Sequence, residues 1–158
     1  MMLVDKNIKE LSHQGLLIES GYDEKNVNSI SYDLTLEEII GSKQDDFELE
    51  PGAVAMIKTK EKLNIPCNIT GRIGEKNSLI RLGLQVSGPQ YQPGHVTYAF
   101  LRVINLTENI ITLRKNMKIA QIYFEELRDT PDVTYNNQPD ASFNNEIEYR
   151  AYGKYESV

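Results

Sequence analysis

The chain has 158 residues, of which 40% are hydrophobic and 25% charged, with a formal net charge of −6 and one cysteine. That size suits a single domain with its own core, and no apolar run approaches the roughly 20 residues that cross a bilayer. The opening MMLVDKNIKELSHQ turns polar too early for a secretory signal, Cys67 has no disulfide partner, and His13 and His95 are too few for a zinc cluster. A cytoplasmic protein without membrane contact is expected.

In chain order, Asp5 reads as the N-cap of a short helix to about His13, with Gly15 as its stop. Residues 16–18 and 30–40 read as strands, and residues 41–46 as a polar loop. Residues 47–49 and 53–59 read as two strands around a Pro51-Gly52 turn. Cys67 reads as a small core residue, followed by a strand over residues 69–73. Residues 78–82 are the interior segment with helical character, ending at Gly83, and strands follow at 84–86, 96–105, 110–113 and 119–124. After Leu127, Asp, Asn, Gln, Pro and Ser dominate, which divides the chain into a domain over 1–127 and a C-terminal arm over 128–158. In that arm Phe143, Tyr149, Tyr152 and Tyr155 are placed to pack on the core or stack on a base. Many short strands between turn signals predict a mainly β, antiparallel barrel or sandwich of jelly-roll type.

Charge is unevenly spread. Residues 1–70 sum to −6, residues 71–118 to +5 and residues 119–158 to −5. A basic centre between acidic flanks suits a compact anion such as a nucleotide phosphate, and suits duplex nucleic acid poorly.

Within VTYAFLRVI (residues 96–104), Val96, Tyr98, Phe100, Arg102 and Ile104 share one face and Thr97, Ala99, Leu101 and Val103 the other. Both faces are mainly apolar, which predicts a central strand buried on both sides. Arg102 then requires a carboxylate, carbonyls or a ligand phosphate to meet it, since a guanidinium cannot shed its charge. Lys76, Asn77 and Ser78 precede the short helix that carries Arg81, and they could cradle phosphate or merely cap it. His95, just before the central strand, is a further candidate ligand contact, and His13 is placed to sit at the end of the first helix.

The order of these segments resembles the dCTP deaminase branch of the trimeric dUTPase superfamily over roughly residues 1–127. SISYDLTL (29–36) is similar to that family's S-x-D-L-x-L strand, and FELEPG (47–52) with TKEKLNIP (59–66) to its L-x-P-G…T-x-E-x-x-x-x-P stretch. KNSLIRLGL (76–84) falls on its R-S-S-L-A-R-L-G-L signature and NMKIAQIYF (116–124) on its P-G-x-x-I-A-Q-L-x-F ending. The resemblance implies a distorted jelly roll, or β-clip dUTPase-like barrel, with a short N-terminal helix and one short interior helix. It also implies a homotrimer with nucleotide sites between subunits, closed in part by the arm. Lys76, Asn77 and Ser78 would hold the triphosphate, with Arg81 in the place of the family's second arginine. No cofactor is implied beyond Mg²⁺ arriving with a triphosphate.

The chain departs from the pattern at two carboxylates. Gln92 of YQPGH (91–95) replaces the turn aspartate, and Arg102 stands where the deaminase strand places its glutamate, three residues before Asn105. Deamination at cytosine C4 without a metal needs a base that takes a proton from water and returns it to the amine, which Arg102 cannot be. Losing a general base costs about 10²- to 10⁴-fold in rate. The substitutions lead to the expectation of a non-catalytic protein that sequesters or senses a nucleotide, a dNTP or a cyclic signal, through Lys76, Asn77, Ser78, Arg81, Gln92, His95 and Arg102. The alternatives are an active dCTP deaminase or dUTP diphosphatase with a relocated carboxylate (Glu75, Glu108 or an acid of the arm), and a protein-interaction module without a ligand.

Overall fold

The structure, a computed structural model, describes residues 1–151. Helix α1 (Asp5–His13) is amphipathic, burying Ile8 and Ser12. Its N-cap is Val4 and not Asp5: Asn7 Oδ1 accepts the Val4 N–H at 3.2 Å, which leaves Asp5 in the first turn facing the positive end of the helix dipole. Strands β1 (Leu17–Ser20), β2 (Tyr32–Ile39), β3 (Asp46–Leu49), β4 (Val54–Asn64) and β5 (Ile69–Gly74) lead to α2 (Asn77–Leu82). Strands β6 (Leu84–Ser87), β7 (Gln90–Tyr91), β8 (Val96–Asn105), β9 (Ile111–Arg114) and β10 (Lys118–Glu126) follow. No helix among the described residues is long and apolar enough to cross a membrane.

The larger sheet runs β6-β8-β4-β2-β10-β5-β7, with β1 added on β4, and every named strand pair is antiparallel. Its curl originates in β2. Tyr32, Asp33, Leu34 and Thr35 pair with β10, whereas Leu36, Glu38 and Ile39 pair with β4 after an irregularity in register. One strand thus hands the sheet from one partner to another, as a bulged strand does when it bends. Tyr32, Leu34, Ile57, Leu101, Ile122 and Phe124 fill the resulting half-barrel, each with no solvent exposure. The fold is the distorted jelly roll that the sequence implies, with both expected helices in place.

Two further local expectations, those for Cys67 and β8, need correction. The Pro51-Gly52 turn lies between two strands as read, and these strands do not pair with each other: β3 pairs with β9 in a separate two-stranded sheet, and β4 lies between β2 and β8. The turn moves the chain from one sheet to the other, and Gly52 N–H donates to Asn105 O at 2.8 Å as it does so. Cys67 is exposed, because Ile65 and Ile69 take the core positions on either side of its turn. Strand β8 is buried on one face only; Thr97, Ala99, Leu101, Val103 and Asn105 point inward, while Val96, Tyr98, Phe100 and Ile104 are half-buried and Arg102 is exposed.

Candidate active site in the β7–β8 hairpin

Strands β7 and β8 are joined by the turn Gln92-Pro93-Gly94-His95, closed by His95 N–H donating to Gln92 O at 3.1 Å. Gly94 has φ +82°, the left-handed conformation that glycine adopts without cost. The turn is pinned to the end of β4 by reciprocal bonds of 2.9 Å, Gly94 N–H to Ile65 O and Ile65 N–H to His95 O.

The arm returns to this hairpin. Tyr135 N–H donates to Pro93 O, and the Tyr135 ring lies 4.1 Å, centroid to centroid, from His95. Further along, Asn145 N–H donates to Val96 O, Tyr98 N–H donates to Glu146 O at 3.1 Å, and Glu146 forms a parallel bridge with Thr97. The arm therefore adds a short strand to the edge of β8 that β4 leaves free. Tyr149 completes the docking by packing its ring 5.7 Å from that of Phe100. Of the arm aromatics singled out in the sequence, Phe143 and Tyr149 belong to this contact; Tyr152 and Tyr155 lie outside the described residues.

Hairpin, β8 and arm enclose a cavity of about 340 Å³. Tyr98, Phe100 and Tyr149 give it aromatic walls, Gln92 and His95 a polar end, and Glu146 a carboxylate. His95 is 7% exposed and its Nε2 lies 2.9 Å from Phe143 O. Burial lowers its pKa, partly offset by that carbonyl. The neutral ring thus carries its proton on Nε2, since a carbonyl only accepts. Tyr91 is buried and its hydroxyl has no hydrogen-bond partner among the described residues; burial pushes its pKa up, and the nearby Glu146 charge adds to the shift. Glu146 is 7% exposed and its Oε1 accepts the Arg150 N–H at 2.9 Å.

Gln92 and His95 are therefore brought together in the cavity, while Lys76, Asn77, Ser78, Arg81 and Arg102 do not line it. Lys76 Nζ sits 2.7 Å from Asp33 Oδ1, and Lys118 Nζ 3.4 Å from Asp33 Oδ2. Arg81 Nε donates to Asn77 Oδ1 at 3.2 Å, one helical turn back. Glu75 is committed to the β6 backbone, accepting the Val86 N–H at 2.8 Å, and Glu108 lies exposed in the β8–β9 loop. Sequence reading left the arm acid unspecified; Glu146 is the acid that the fold delivers, across 49 residues from Thr97. Among the described residues no group of three or more His, Cys, Asp or Glu is arranged to hold a metal ion.

A family model described as dCTP deaminase-like matches residues 37–127. The dCTP deaminase of Wigglesworthia glossinidia brevipalpis is 34% identical over 131 residues, covering 82% of this chain and 66% of that protein. That of Colwellia psychrerythraea is 27% identical over an alignment covering 90% of each. The crystal structure of 2'-deoxycytidine 5'-triphosphate deaminase from Agrobacterium tumefaciens matches with a TM-score of 0.68 at 20% identity, over 79% of this chain and 47% of that one. The EIAV dUTPase matches at 0.53 and 20%, over 74% and 88%. At these identities the structural likeness is one of fold. The chain spans about two thirds or less of the length of several proteins it matches. These relatives overturn the expectation of a non-catalytic, sequestering protein: they carry the name of an enzyme, dCTP deaminase. That expectation rested on Gln92 and Arg102, the two positions where the family carries carboxylates; the acid that lines the cavity is Glu146 of the arm.

Proposed function

Because the chain belongs to the dCTP deaminase-like family, we propose that it is an active deaminase converting dCTP and water to dUTP and ammonia. The observation that carries this reading is the hairpin cavity, an aromatic-walled space of pyrimidine-nucleoside size with a buried carboxylate, in a relative of dCTP deaminases at 34% identity. The cytosine ring lies between the aromatic walls with its polar edge toward Gln92, His95 and Glu146. The triphosphate falls to Lys76, Asn77, Ser78 and Arg81, with any Mg²⁺ travelling as part of the substrate.

Since those four residues do not line the same chain's cavity, a second copy supplies them, and the enzyme works as a homotrimer. Ile80, Leu82 and Leu106 support this assembly: each is about half exposed or more, and Leu106 N–H donates to Gly83 O beside the other two. A dCTP substrate places the protein with the nucleotide pool of the cytoplasm. Incubation with dCTP, followed by chromatographic separation of dUTP and assay of ammonia, tests the reading. Equimolar dUTP and ammonia are expected. Recovery of dCTP unchanged overturns it, and pyrophosphate released from dUTP would identify a dUTP diphosphatase instead.

A further inference from the structure

We infer that Glu146 of the arm is the proton-transfer carboxylate of the deamination, taking over the role that Gln92 and Arg102 cannot fill; this rests on the reading of the chain as a deaminase. Four observations converge on it. Glu146 is the acid among the residues lining the cavity. It is held there by the backbone, through its bridge to Thr97 and the Tyr98 N–H to Glu146 O bond, so its position is set by β8 rather than by a loose tail. One carboxylate oxygen accepts the Arg150 N–H, and Oε2 has no hydrogen bond among the described residues. Tyr91, which also lines the cavity, has a buried hydroxyl with no hydrogen-bond partner among the described residues, and the Glu146 charge acts on it. A buried hydroxyl without a protein partner implies a water or a substrate atom beside it.

Other buried acids do not fit the task. Asp33 is engaged by two lysines and by the Asn28 amide, and Glu61 lies outside the cavity with one oxygen bound to the Thr35 N–H. A water held by Tyr91 can give one proton to Glu146 as its oxygen bonds to C4 of cytosine. The electrons of the C4–N3 double bond move to N3, which receives that proton. Glu146 then carries the second water proton to the exocyclic amine. The C4–N bond breaks, ammonia leaves and the C4 carbonyl forms, so dCTP and water balance dUTP and ammonia.

The test is Glu146→Gln in the full chain. Glutamine keeps an oxygen for the Arg150 N–H, so the arm stays docked, but it cannot carry a proton. The expected result is a fall in kcat of about 10²- to 10⁴-fold with dCTP affinity, measured by calorimetry, within about threefold of the parent protein. Glu146→Asp, with a shortened carboxylate, should recover part of the rate. A parent enzyme that makes dUTP and a Glu146→Gln variant that makes it equally fast would overturn this assignment alone. A parent protein that leaves dCTP intact would overturn the deaminase reading and this assignment together.

Discussion

Lys76 Nζ lies 2.7 Å from Asp33 Oδ1, and this pair ties the segment before α2 to the start of β2. The Asp33 side chain is 6% exposed and also faces Lys118, so one carboxylate answers two ammonium groups. The cluster retains a net positive charge, which keeps the segment attractive to phosphate while fixing where Lys76 points. Asp33→Asn leaves both lysines uncompensated. A hydrogen bond to a charged group is worth about 1.5–3 kcal/mol, and the partial exposure of both lysines puts the expected loss at the low end of that range. Urea denaturation would measure it.

Glu61 is fully buried, with Oε2 accepting the Thr35 N–H and Oε1 unpartnered among the described residues. Burial raises its pKa from 4.5 to about 7. The folded state then binds a proton more tightly than the unfolded one, so stability is full below pH 4.5 and is lost as pH rises through about 7. A shift of this size is worth about 3 kcal/mol at most. Glu61→Gln should remove that slope and leave the protein more stable than its parent at pH 8, as followed by thermal unfolding at several pH values.

His95 behaves oppositely. Its pKa is lowered by burial, so the folded state resists protonation and stability falls as pH drops below 6.5. Protonation would put a charge beneath Tyr135 and beside the Phe143 carbonyl, where the arm is docked. An NMR titration should place the His95 midpoint below 6.5, and His95→Phe should abolish the acid loosening of the arm. A midpoint above 6.5 would contradict this.

Gly94 packs directly under the arm. A Cβ there would meet Asn136 Oδ1 at 2.5 Å and Thr134 Cβ at 2.9 Å, at a φ of +82°. Gly94→Ala should cost about 1–2 kcal/mol from the backbone conformation alone and should also lift the arm. Faster hydrogen exchange at the Tyr98 amide, which donates to Glu146, would report the second effect.

Much of the fold is legible where local pattern and tertiary role coincide. The alternation of residues 96–105 places Thr97, Ala99, Leu101 and Val103 on one face, and all four are buried. Gly83, at φ +94°, ends α2 as read. Pro51-Gly52 marks its turn correctly, but a turn signal says only that the chain bends, and the pairing of β3 with β9 lies beyond it. Cys67 misleads because burial depends on which neighbours fill the core first. Strand β7 has two residues and carries no period. The site is legible in half: Gln92 and His95 stand on the hairpin that makes the cavity, but Glu146 lies in a polar stretch with no apolar rhythm. What places it is a set of backbone bonds to β8, and backbone groups are the same in every sequence.

That strand addition has a second effect, on self-association. The backbone of residues 96–98 is paired on one side by β4 and on the other by the arm. Without residues 144–146 in place, the Val96 carbonyl and the Tyr98 amide would lie bare at a sheet edge beside Tyr98 and Phe100. Such an edge is a template for a strand from another molecule. The arm that brings Glu146 to the cavity also covers this edge, so losing it would leave the protein prone to aggregate through β8.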